Sequence, residues 1–180
     1  MKNLLLAILL ILSPSFVSAQ TWVEQRTDVK AEQVTPRLDG WVSGKLNGSI
    51  GTFAWFQISR DYGQAYGGVS ITPKPWLQFG LSAGIEQTKN PLRLGSFVWM
   101  GNKRMSLLFI GEGLGSGWWY KSEFNWTITK NLGVGLMTER FKGTGPRIQY
   151  SIASTPLTVW TAYLFNEGGN RAIIGIRVKL

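Results

Sequence analysis

The chain has 180 residues, with 19 Lys and Arg against 10 Asp and Glu, a net charge of +9, and neither cysteine nor histidine. That composition excludes a disulfide framework, removes the usual ligands of zinc and copper, and denies histidine to any acid–base or nucleophilic site. The length suits one domain, and 22 glycines with nine tryptophans suit crowded strands carrying aromatic anchors.

Residues 1–19, MKNLLLAILLILSPSFVSA, hold one lysine, an apolar run from Leu4 to Leu12, a break at Pro14, and small residues at Val17 and Ala19. This is the pattern of a secretory signal peptide cleaved after Ala19, and the apolar run is too short to span a bilayer as a helix. The segment 20–36 is weaker. Glu24, Arg26, Asp28, Lys30 and Glu32 alternate in sign at every second position, which suits either a periplasmic leader or a first, lumen-lining strand.

From residue 37 to 180 one element recurs. A strand over 38–46 runs into Asn47-Gly48, a hairpin signal because both turn positions favour positive φ. Strands over 49–60 and 64–72 follow, and Pro73-Lys74-Pro75 ends the second, since proline cannot donate to a ladder. The stretch 76–87 alternates most cleanly. Leu77, Phe79, Leu81, Ala83 and Ile85 share one face, and Gln78, Gly80, Ser82, Gly84 and Glu86 share the other. Further strands are predicted over 92–101, 104–113, 117–129, 132–141, 146–153, 157–166 and 171–180, with residues 142–145 as a link. In 117–129, Tyr120, Phe124, Trp126 and Ile128 lie opposite Lys121, Glu123, Asn125 and Thr127.

Almost no helix-period segment is available to cover these apolar faces. Two-faced strands without covering helices satisfy their backbone and bury their apolar faces by closing into a barrel in a bilayer. The expected fold is therefore all-β, an antiparallel up-and-down transmembrane β-barrel over 37–180. Eleven strands are readable from residue 38 onward, and single-chain bacterial barrels have even strand numbers. Twelve strands follow if residues 22–33 form one; ten is the alternative.

With both termini in the periplasm, Trp76, Trp99 and Trp126 fall at periplasmic strand ends, and Trp118 and Trp119 at an outer end. They form the expected aromatic girdles. Lys121, Glu123, Glu139, Arg147, Arg177 and Lys179 are expected on the lumen face. Symmetric turns at Lys130 and Gly143 would set Lys121 opposite Glu139 and Glu139 opposite Arg147, a row of alternating charge across three strands. Such a row reads either as a constriction that selects solutes or as a salt-bridged plug.

No catalytic residue, metal or cofactor is expected. Gly80 to Gly84 matches G-x-S-x-G around Ser82, but it lies inside the best strand of a chain without histidine. The alternating glycines Gly111, Gly113, Gly115 and Gly117 open a strand rather than a helix, so they do not form a phosphate loop. The scattered carboxylates match no calcium loop. The basic residues stand singly among aromatic strands, which argues against nucleic acid and for anionic outer-membrane lipid or lipopolysaccharide as partners.

The ending Gly175-Ile176-Arg177-Val178-Lys179-Leu180 resembles the C-terminal assembly signal of outer-membrane β-barrel proteins. Gly175 precedes Val178 and Leu180, which continue the apolar face of Ala172, Ile174 and Ile176; the terminal residue is leucine, where the family usually has an aromatic. The resemblance implies the bacterial outer membrane and handling by the barrel-assembly machinery. Enzymatic outer-membrane barrels (phospholipases, lipid A deacylases, acyltransferases and omptin-like proteases) resemble the chain in architecture but rely on histidine. The expectation is a monomeric, non-enzymatic barrel, either a narrow charge-lined porin-like channel or a structural barrel. Two alternatives stand beside it: a soluble secreted barrel with Leu77, Phe79 and Leu81 turned inward around an apolar ligand, and a membrane-embedded enzyme that works without histidine.

Overall fold

The computed structural model describes residues 20–180, so the signal peptide expected at 1–19 lies outside the described residues. Twelve strands follow in order: β1 (Gln20–Lys30), β2 (Gln33–Asn47), β3 (Ile50–Ser59), β4 (Gly63–Lys74), β5 (Leu77–Glu86), β6 (Leu92–Gly101), β7 (Met105–Leu114), β8 (Trp119–Thr127), β9 (Leu132–Glu139), β10 (Gly143–Ser151), β11 (Leu157–Leu164) and β12 (Arg171–Lys179). Each pairs antiparallel with the next, and β1 pairs with β12 to close the barrel. Closure leaves no sheet edge, the condition for a sheet to cross a bilayer. Residues 20–36 thus form β1 and the start of β2, and twelve strands replace the alternative of ten. Ala31, at φ 48, turns the chain between them.

The connections are short at both ends, from two residues at 48–49 to six at 165–170. Gln20 and Leu180, the first and last described residues, lie at one end, the periplasmic end in single-chain barrels of this kind.

Side-chain parity divides the barrel into two surfaces. Outside, Phe79, Leu81 and Ile85 of β5 are exposed, as are Val69, Leu94, Phe109, Leu136, Ile148, Tyr163, Ile174 and Ile176 on other strands. Leu81 is 68% exposed. This orientation is the reverse of a soluble ligand-binding barrel, whose apolar side chains would fill the interior. Inside, Trp41, Phe53 and Phe97 pack with ring centroids 4.9–5.3 Å apart in the periplasmic half. Each such ring pair adds about 0.5–1.5 kcal/mol beyond the area it buries. Met137, Trp160, Ala162, Leu164 and Ile173 form a second buried cluster on β9, β11 and β12.

Two turns differ from expectation: β4 runs on through Pro73 and Lys74, so that its turn is at 75–76, and the turn after β9 is displaced. Residues 142–145 do not form a link: Arg140–Lys142 make the turn, with Phe141 at φ 68, and β10 begins at Gly143. The glycines of this stretch serve close strand approach, since a Cβ on Gly145 would lie 1.8 Å from the carbonyl oxygen of Tyr163.

Candidate functional site

The charged inward positions form two lattices inside the barrel. The larger one joins β1 and β2 to β8, β9, β10 and β12. Arg26 Nη2 lies 2.5 Å from Glu139 Oε2, and its Nε lies 3.0 Å from Asp28 Oδ1. Arg37 pairs with Asp39 at 2.9 Å and reaches Glu139 at 3.6 Å. Lys142 joins Glu139 at 2.8 Å and also pairs with Asp28. Lower in the lumen, Glu123 takes Lys121 at 2.6 Å and Arg147 at 3.5 Å, while Arg147 donates to Asn125 at 2.5 Å. Glu24 accepts from Arg177 at 2.7 Å and from the Trp160 indole N–H at 2.8 Å. The Trp160 ring sits 4.5 Å from the Arg147 guanidinium and 5.8 Å from that of Arg26, within reach of cation–π attraction.

This region is sealed. Arg26 and Met137 are 0% exposed, Trp160 1% and Glu139 2%. For side chains that point into a barrel, loss of solvent contact means that other side chains fill the lumen at that level. Lys142 belongs to the β9–β10 turn, outside the spanning segments, and burial pushes its ammonium below the ordinary lysine value although the Glu139 charge opposes this.

The second lattice lies on one wall. Arg93 of β6 pairs with Glu112 of β7 at 2.9 Å and with Glu86 of β5 at 3.6 Å. Tyr66 of β4 donates to Glu112 at 2.8 Å and accepts from Arg93 Nε at 3.0 Å. Arg93 Nη1 also donates to the carbonyls of Leu114 and Gly117 at 2.8 and 2.7 Å, which pins the β7–β8 turn. Tyr62 and Ser116 donate to Glu86 from the rim, and burial raises the Tyr62 phenol above its ordinary value. Above this lattice opens a cavity of ≈ 190 Å³ at the outer mouth, lined by Gln57, Tyr62, Gln64, Arg93, Glu112 and Trp119 among others.

Within the two lattices the charges are balanced, whereas Arg171, of inward parity at the outer end of β12, has a buried Nε without a partner among the described residues and belongs to neither. The seven buried carboxylates (Glu24, Asp28, Asp39, Glu86, Glu112, Glu123 and Glu139) face the seven cations Arg26, Arg37, Arg93, Lys121, Lys142, Arg147 and Arg177. Each carboxylate has at least one cationic partner.

The residues singled out from sequence fall as follows. Lys121, Glu123, Glu139, Arg147 and Arg177 all lie in the larger lattice, whereas Lys179 has lumen parity but sits exposed at the periplasmic rim opposite Trp22. Lys121 stands opposite Glu139 in register, although its ammonium is held by Glu123. Glu139 does not stand opposite Arg147. Its register partner is Gly143, and that of Arg147 is Gly135, because the turn centres on Phe141 rather than Gly143. Trp76, Trp118 and Trp126 are exposed on the outside or at its turns. Trp99 and Trp119 depart from the girdle: Trp99 shares the inward parity of Arg93 and Phe97, and Trp119 stands opposite buried Glu112. Gly175 faces inward beneath Trp160, where a Cβ would lie 2.3 Å from the indole; Val178 and Leu180 continue the outward face. Arg37, Asp39, Tyr66, Arg93 and Glu112 were not singled out. Strand parity was the signal that could have found them.

No family model matches the chain, and no curated protein matches it in sequence. Solved structures do match. The KdgM porin aligns with a TM-score of 0.62 at 9% identity, covering 88% of this chain and 99% of that one. Omp33 of Acinetobacter baumannii aligns at 0.58 and 12% identity, covering 89% and 98%, and the NanC porin at 0.56 and 13%, covering 88% and 100%. At such identities the likeness establishes the fold, a barrel of the bacterial outer-membrane type.

Proposed function

We propose that the chain is a porin-like barrel of the bacterial outer membrane, monomeric and non-enzymatic, whose narrow lumen is held shut by the lattice around Arg26 and Glu139. The observation that carries this reading is the set of buried carboxylates, each paired with a cation, inside a closed barrel. Buried ion pairs are no more stabilising than well-packed apolar side chains of similar volume, so a purely structural barrel gains nothing by filling its lumen with them. A path for small hydrated solutes does need polar walls, and compensated walls select by size and local field. Barrel-assembly machinery acting on β12, and outer-membrane lipid and lipopolysaccharide around the exterior, are the partners of this reading.

The test is fractionation, then gel electrophoresis with and without boiling, then conductance in planar bilayers. Recovery in the outer membrane, a heat-dependent mobility shift and small, infrequent current steps are expected. A protein that stays soluble contradicts the membrane reading. A heat-shifting barrel that passes no current at any voltage contradicts the channel and leaves the structural barrel.

A further inference from the structure

The two rims of the barrel differ in charge. At the outer end, the exposed acidic side chains Glu32, Asp61 and Glu167 accompany the basic residues of the connections, and Arg60 lies 4.0 Å from Asp61. At the periplasmic end stand Lys45, Lys74, Lys103, Arg104, Lys130 and Lys179. All six are exposed, none has an ion pair among the described residues, and no Asp or Glu side chain is exposed at that end. The lumen charges do not neutralise them, because each buried carboxylate is already paired inside.

We infer that this periplasmic rim is a binding surface for the phosphate headgroups of anionic phospholipid in the inner leaflet. The inference rests on the membrane reading above. The cations sit on β2, β4, the β6–β7 turn, the β8–β9 turn and β12, and so spread around much of the circumference. Lys74, Lys103, Arg104 and Lys130 stand on the outward face or at turns, and Lys45 and Lys179, of lumen parity, stand exposed at the mouth. A spread of single charges suits a continuous anionic surface, whereas one small ligand needs its cations gathered at one point. Their height fits as well. Trp76 directly follows Pro75 and Lys74, and Trp126 lies close to Lys130, both indoles being exposed. Tryptophan marks the headgroup level, and the exposed aliphatic belt begins just above. Lys and Arg beside an anionic bilayer each favour binding roughly fivefold at low salt, an attraction that fades beyond a Debye length.

The test uses the full mature barrel, first shown by its heat-dependent mobility to be folded, in bilayers mixing phosphatidylcholine with brominated phosphatidylglycerol or, in a control, brominated phosphatidylcholine. Bromine quenches the lipid-facing tryptophans in proportion to local lipid occupancy. Quenching several-fold stronger by the brominated phosphatidylglycerol is expected, reduced by half-molar salt and abolished when all six residues are changed to Gln. A variant with Arg at the five lysine positions should retain it, and Arg60→Gln with Lys89→Gln at the outer rim should leave it unchanged. Equal quenching by the two lipids, or a preference that survives the six-fold Gln variant, overturns the inference. So does a six-fold variant that alters only the anion selectivity of the current, since the rim would then serve solutes. Failure of the protein to insert at all would instead refute the membrane reading.

Discussion

The lattice around Arg26 and the lattice around Arg93 are built from the same groups, and they do different things because they connect different strands. Arg93, Glu86, Glu112 and Tyr66 lie on four consecutive strands, β4 to β7, so their bonds run along one wall. Arg26 and Arg37 stand on β1 and β2 but meet Glu139 on β9, with β10, β11 and β12 between them in the ring. These bonds cross the lumen. A wall lattice leaves room above it, the cavity of ≈ 190 Å³ at the outer mouth, whereas a crossing lattice fills the space it spans. What decides between lining and closing a barrel is the strand separation of the partners, not the number of charges.

Removing the hub of the crossing lattice should have the largest effect. Glu139→Ala leaves Arg26, Arg37 and Lys142 facing one another with only Asp28 and Asp39 to share. Stranding one partner of a buried pair costs about 3–5 kcal/mol, so the gel-shift transition should move to clearly lower temperature or urea. Trp160→Ala comes next. It removes a fully buried side chain, worth roughly 3–5 kcal/mol, and takes from Glu24 one of its donors while Arg177 remains. The same melting assay should show a loss comparable to that of Glu139→Ala or below it, since no charge is left without a partner. Gly175→Ala is the mildest. Its Cβ would meet the Trp160 indole at 2.3 Å, and the resulting displacement should cost about 1–3 kcal/mol, read as a small fall in the same transition. If Gly175→Ala proves as damaging as Trp160→Ala, the indole is held by more than the packing described.

Much of the barrel was legible in the sequence because its lipid face is apolar and its turns are marked. On β5 five outward apolar residues alternate with five small or polar inward ones, and both the strand and its orientation follow. β1 was harder to read. Its outward face includes Thr21, Gln25 and Thr27, and its inward face is charged, so neither side shows an apolar stripe; only the even-strand rule pointed to it. The Glu139–Arg147 pairing failed for a local reason. Glycine normally marks the centre of a turn, yet here Phe141 takes that place at φ 68, while Gly143, also at positive φ, opens β10 and is kept small, like Gly145, by the nearby backbone of Tyr163 and Phe165. Trp99 and Trp119 were assigned by their height along the strands, and parity overrides height. Contacts across the lumen, such as Arg26 with Glu139, depend on how twelve strands close, and no hairpin register carries that information.

The most direct measurement is single-channel conductance of Glu139→Ala and Glu112→Ala, side by side with the wild type and each checked for heat-dependent mobility. Opening of the crossing lattice predicts larger and more frequent current steps for Glu139→Ala and wild-type currents for Glu112→Ala, whose lattice only lines the wall. Equal currents in the two variants, or an increase confined to Glu112→Ala, would contradict the claim that the Arg26–Glu139 lattice closes this barrel.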